Sequence, residues 1–124
     1  MDPVEGRLVL HGHVRESAAI VVGALPAAQI AGKVNDCLSQ FAGELPAHIT
    51  LYHGPLVLRL TIEARGTVAG CEILTDRVIH QDAGHTEWET IRSVLLARLM
   101  ALDFTPSDGQ TVLIQPISFG DRPL

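Results

Sequence analysis

Between residues 54 and 74 the sequence GPLVLRLTIEARGTVAGCEIL alternates apolar and polar side chains in two runs, the spacing of a half-buried strand that doubles back on itself. Leu58, Leu60, Ile62 and Ala64 fall on one face of the first run, and Val57, Arg59, Thr61 and Glu63 on the other. The reversal is expected at Ala64-Arg65-Gly66-Thr67, where Gly66 supplies the positive φ of a tight turn. The return run, Val68 to Thr75, alternates less cleanly, and Gly70 within it signals a bulge or a close backbone approach.

Upstream the period changes. After Leu25-Pro26, residues Ile30, Val34, Cys37, Leu38 and Phe41 recur on one helical face; proline suits a first turn, Gly43 reads as a stop and Pro46 reinforces it. Before that helix, residues 7–14 (RLVLHGHV) and 18–22 are β-branched-rich runs separated by Arg15-Glu16-Ser17, the pattern of a short hairpin or a bent strand. Downstream of the polar loop HQDAGH, Thr86 and Glu89 form a capping box, and Trp88, Ile91, Val94, Leu95, Leu99 and Leu102 make the stripe of a second helix. Asp103 to Gln110 has loop chemistry. Thr111 to Phe119 reads as a last strand whose Pro116, lacking an amide, favours an edge or a bulge.

The element order is thus strands, helix, hairpin, helix, strand. It predicts an α+β domain: a predominantly antiparallel sheet of four to five strands with two amphipathic helices on one face, with a ferredoxin-like split β-α-β arrangement as the alternative. No repeat, linker or low-complexity segment interrupts residues 1–124, so one domain is expected, its N-terminal strands within 7–24 and the remainder within 25–119.

Composition narrows the function. The chain of 124 residues is 47% hydrophobic and 19% charged but holds only one Trp, one Tyr and three Phe, so an aliphatic core is expected. A formal charge of -5 with scattered Lys and Arg argues against nucleic acid as partner. No stretch approaches the roughly 20 apolar residues of a membrane helix, so no membrane insertion is expected, and the acidic start lacks the basic region of a secretory signal. The compartment is left open: cytoplasmic for a chain complete as written, periplasmic or envelope-associated for one excised from a larger protein.

Few residues offer chemistry. His11 and His13 share one face of a strand and His80 and His85 flank a loop, which makes His11 and His13 the leading metal candidates; yet no HExxH or cysteine-pair spacing accompanies them, and surface histidines are the simpler reading. The serines lie in no GxSxG elbow, the glycines form no phosphate loop, and no cofactor is called for. Asp76, Asp82, Glu87 and Glu89 gather where a helix dipole favours acids, and Trp88 reads as a core anchor. Cys37 and Cys71 are expected as two reduced, partly buried thiols, a bridge between them being the alternative.

The helix IAGKVNDCLSQF, the hairpin GPLVLRLTIEARGTVAGCEIL, a second amphipathic helix and the ending LDFTPSDGQTVLIQPISF, in that order, resemble the TonB C-terminal superfamily, and most closely its AgmX/PglI-type branch, over about residues 25 to 119. Leu38 stands where such domains carry an aromatic, and IRSVLLARLM lacks their second helix cysteine, so the resemblance carries no disulfide over to this chain. It implies a noncatalytic interaction module that takes a protein partner, or a second copy, by strand addition at an exposed sheet edge. The last strand is the expected edge, with Thr111, Val112, Leu113, Ile114, Gln115, Ile117 and Phe119 as partner-binding residues. A small-ligand or metal-binding domain built on the histidines, or an accessory domain of an enzyme, are the competing readings.

Overall fold

Hydrophobic alternation with a period of two runs through the centre of the molecule. In the computed structural model, which describes residues 8–9, 14–16, 19–45, 52–80 and 86–120, β4 (Tyr52–Ile62) buries every even-numbered side chain and leaves the odd ones half-buried or exposed. β7 (Thr111–Phe119) does the same with its odd-numbered residues. The two strands pair antiparallel from Gly54↔Phe119 to Ile62↔Thr111, which sets Leu56 against Ile117 and Leu60 against Leu113 on one face. A slip of one residue would turn both buried rows to solvent, so the pattern itself fixes the register.

Five further strands extend this pair. β5 (Val68–Asp76) flanks β4, and β6 (Ile79–His80) caps the start of β4. On the far side of β7 lie β2 (Val14–Glu16) and β3 (Ile20–Gly23), with β1 (Leu8–Val9) outside β2. Because β2 and β3 follow one another along the same neighbour, the sheet is four to five strands across, and every pairing in it is antiparallel. Of the two expectations for the runs on either side of Arg15-Glu16-Ser17, the bent strand fits: Arg15 and Glu16 lie in β2 against Ser118 and Ile117, and β3 continues along the same neighbour from Ile20, while β1 pairs antiparallel with β2.

The helices α1 (Ala27–Gly43) and α2 (Thr86–Met100) join strands that run the same way with a third strand inserted: β3-α1-β4 around β7, and β5-α2-β7 around β4. Two interlocked split β-α-β units result. Ile30, Val34, Leu38 and Phe41 of α1 and Trp88, Ile91, Leu95 and Leu99 of α2 share one core with the buried rows of β4 and β7, which places both helices on one face of the sheet. Pro26 is the residue preceding α1, and Gly43 is its last helical residue instead of a left-handed stop; Glu44 closes the end through i→i+3 bonds, Glu44 N–H to the Phe41 carbonyl at 3.1 Å and Leu45 N–H to Ala42 at 3.3 Å. Val94 departs from the expected stripe at 42% exposure, since it sits about a third of a turn away from Trp88 around the helix.

The hairpin turn is as the sequence requires. Gly66 has φ +97° and donates its N–H to the Glu63 carbonyl at 2.8 Å, and Glu63 N–H reaches Thr67 at 2.9 Å, the geometry of a three-residue loop closed by a left-handed glycine. The loop after α2 clamps it, with Phe104 N–H on the Gly66 carbonyl at 2.8 Å and Ser107 N–H on that of Ala64 at 2.7 Å. Lys33 of α1 donates to the Asp103 carbonyl and lies 5.5 Å from the Phe104 ring centroid, so helix, loop and hairpin tip are tied together.

Candidate functional site

The last strand is not an edge. β4 pairs with one side of β7 along its whole length, and β3 and β2 cover the other, Ile20↔Ile114 to Gly23↔Thr111 and then Val14↔Phe119 to Glu16↔Ile117. Between these two registers the N-terminal segment is one residue longer than β7, and Pro116 falls in that gap, the bulged position its missing amide tolerates. Thr111, Leu113, Gln115, Ile117 and Phe119 face the helices and are buried, while Val112 and Ile114 are half-buried on the opposite face. Their contacts are internal: Thr111 Oγ1 accepts the Leu25 N–H at 3.0 Å, Gln115 Nε2 donates to the Pro116 carbonyl at 2.9 Å, and Phe119 packs edge-on against Trp88 with centroids 5.2 Å apart. The strand's backbone is committed to the sheet on both sides, because its outer partner comes from a segment some ninety residues earlier in the chain.

The long unpaired margin is β5. Among the described residues it pairs with β4 alone. Two register shifts interrupt that pairing, one between Val57 and Leu58 and one between Thr61 and Ile62, so that Leu74 and Ala69 are the extra residues on β5. Gly70 thus adjoins a bulge. Between the bulges, Cys71 and Ile73 point to the helix side, opposite Leu60 and Leu58, and Glu72 to the open side, where it pairs with Arg59. Leu58 is fully buried, whereas Ile73 beside it is 36% exposed and Leu74 42%. Here the core runs out to the rim of the sheet, with no strand beyond it among the described residues.

A polar network pins the C-terminal end of this margin. Asp76 accepts from Trp88 Nε1 at 2.9 Å, from Arg92 and from the Val78 N–H at 3.2 Å. Burial acts to raise its pKa, but the three donors and the guanidinium charge outweigh it and hold the carboxyl below its ordinary value. Next to it Tyr52 Oη donates to Glu87, and burial followed by that carboxylate pushes the phenol well above its usual range. Trp88 stacks between Tyr52, 5.8 Å away, and Phe119. The acids clustered around the start of α2 divide accordingly: Asp76 and Glu87 hold α2 to the sheet, Glu89 is solvated, and Asp82 lies outside the described residues, as do His11, His13 and His85.

A groove of about 640 Å³ between α1 and α2 is lined by Lys33, Cys37, Gln40, Glu44, Arg98 and Leu102. Its cations are engaged, Lys33 by the Asp103 carbonyl and Arg98 by Glu44. Both cysteines are free thiols; burial pushes Cys37 up, and Cys71 up to about 11. Among the described residues no group of three His, Cys, Asp or Glu side chains lies close enough to share a metal ion, and no helix is long and apolar enough to cross a membrane. Sequence reasoning missed β5 as the margin because a pairing pattern, unlike a strand, leaves no local signature; the irregular alternation of Val68 to Thr75 was its one trace. Comparison with family models, curated proteins and solved structures finds no match to this chain.

Proposed function

We propose that this chain is a noncatalytic docking module, of the kind its resemblance to TonB C-terminal domains implies, and that it takes an extended segment of another protein along β5. The observation that carries this reading is the exposure of Ile73, a helix-side residue opposite fully buried Leu58 on a strand with no outer neighbour among the described residues. A segment added there gains main-chain hydrogen bonds from β5 and lays its alternate apolar side chains over Cys71 and Ile73. Its intervening side chains meet the Arg59–Glu72 ion pair, which favours polar residues at those positions.

A second copy suits this margin less well. Two β5 strands paired about a two-fold set the residue on the axis against itself, and the bulges at Ala69 and Leu74 confine regular pairing to a few residues. A foreign strand escapes the symmetry constraint. Panning a random library of extended peptides against the folded chain tests the reading: binders with alternating aliphatic and polar residues that no longer bind Ile73→Lys or Leu74→Asp support it. Binders indifferent to both substitutions, or none at all, overturn it.

A further inference from the structure

The flank of α2 that overhangs β5 is apolar. Two ion pairs show which flank this is: Arg92 donates to Asp76 at the end of β5, and Arg98 pairs with Glu44 of α1 on the other side. Each residue turns a helix by about 100°, so Leu96, one turn beyond Arg92 and about 200° around from Arg98, faces away from α1, and Met100 follows one turn later. Leu96 is partly buried against the core, and Met100 is 41% exposed. α2 runs antiparallel to β5, since Asp76 meets the first turns of the helix and Thr67 bridges to Asp103 just past its end. Asp76, Ile73 and Cys71 stand opposite the alternate residues Leu56, Leu58 and Leu60, so the bulge at Leu74 keeps them in one helix-side row. Four helical residues advance about 6 Å and two strand residues about 6.6 Å, so Arg92, Leu96 and Met100 descend alongside that row. A groove results, with Ile73 and Cys71 as its floor and Leu96 and Met100 as its wall. Asp76 and Arg92 close one end of it and neutralise each other, with Glu89 beyond them.

We propose that the segment docked along β5 lies in this groove and that Leu96 and Met100 are the residues that select its side chains. The inference rests on β5 being the docking margin and adds what decides which segments dock there. The occupant is an extended chain with aliphatic residues at alternate positions. Its main chain is called for by β5, whose outer amides and carbonyls pair with no strand among the described residues and are satisfied in series only by another extended backbone. Its side chains are called for by the wall, because strand alternation sends every second one toward Leu96 and Met100. A charged side chain at those positions loses its water and finds no partner, the ions at the groove's end being already paired. The two wall residues differ in what they admit. Leu96 is held against the core and presents a fixed shape, so the position beside it is selective; Met100 is unbranched and half in solvent, so the position beside it tolerates several shapes.

The probe is a library of acetylated and amidated peptides Lys-Ser-X-Thr-X-Thr-X-Ser-Lys, X being any residue, panned on the whole chain. The wild type is expected to select aliphatic residues at X, one position more narrowly than the next, and Ile73→Lys to lose the selected peptides. Leu96→Ala shifts the narrow position to larger side chains, and Met100→Ala weakens the selected peptides by about fivefold or more. Val94→Ala, an equally exposed site about 200° around the helix from Leu96, changes neither. Near-ultraviolet circular dichroism of Trp88 verifies folding of each variant, and should Leu96→Ala unfold, Met100→Ala decides. Peptides that Ile73→Lys loses, but whose affinity and choice of X ignore Leu96→Ala and Met100→Ala or respond equally to Val94→Ala, overturn this inference and leave β5 as the margin. Peptides that bind Ile73→Lys as well as the wild type, or no binders at all, overturn both.

Discussion

Asp76 at the end of β5 receives the indole N–H of Trp88 at 2.9 Å, a bond that joins the rim of the sheet to the first turn of α2. With Arg92 and the Val78 amide also donating, the carboxylate is a half-buried acceptor whose loss strands three donors. Asp76→Ala is expected to cost about 2–4 kcal/mol, read as a lower denaturant midpoint with the m-value unchanged. An m-value that falls with it would place the effect in the denatured state instead.

The same carboxylate gives the stability a pH dependence of known sign. Its folded-state pKa lies below the ordinary value of about 4, so its stabilisation is complete above that value and is lost as pH falls through the lowered one. Urea midpoints of the wild type and Asp76→Asn are expected to lie apart near pH 6 and to converge below about pH 4. Curves that stay parallel into acid would remove Asp76 from this role.

Glycine replacements separate the two kinds of glycine in this chain. Gly66 holds φ +97° with the Phe104 carbonyl pressed against it, so Gly66→Ala meets both strain and overlap and is expected to destabilise by more than about 2 kcal/mol. Gly32, in the middle of α1 with open space where a Cβ would stand, is expected to gain about 1 kcal/mol on replacement by Ala. Thermal melts of the two variants move in opposite directions.

Burial raises the pKa of both thiols, that of Cys71 to about 11. Alkylation at neutral pH is therefore expected to be slow in the native state for both, with the Cys71 rate climbing as pH approaches its pKa, and fast once the chain is unfolded. Two rapid native thiols at pH 7 would contradict this environment.

The sequence made some of these elements legible and left others hidden. Leu58, Leu60 and Ile62 announce a half-buried strand, Gly66 its turn, and Ile30 to Phe41 a helix, because each signal is local and periodic. What escaped was partnership. Nothing in TVLIQPISF reveals that β3 and β2 close its outer side, since Ile20 and Ile114 are distant in sequence and pair only in the folded chain. Pro116 was compatible with an edge or with a bulge, and only the mismatch between β2 and β3 makes it the latter. Val94 shows the other limit: an apolar residue near the stripe rotates out of the core, where one more residue along, Leu95, is fully buried.

Hydrogen exchange along β5 and β7 tests the central claim most directly. The free chain is expected to protect the β7 amides together with those of the core and to exchange the outward amides of β5 rapidly, and a bound extended peptide is expected to slow only the latter. Rapid exchange in β7, or a bound peptide that leaves β5 unprotected, would contradict the assignment of β5 as the open, partner-accepting margin.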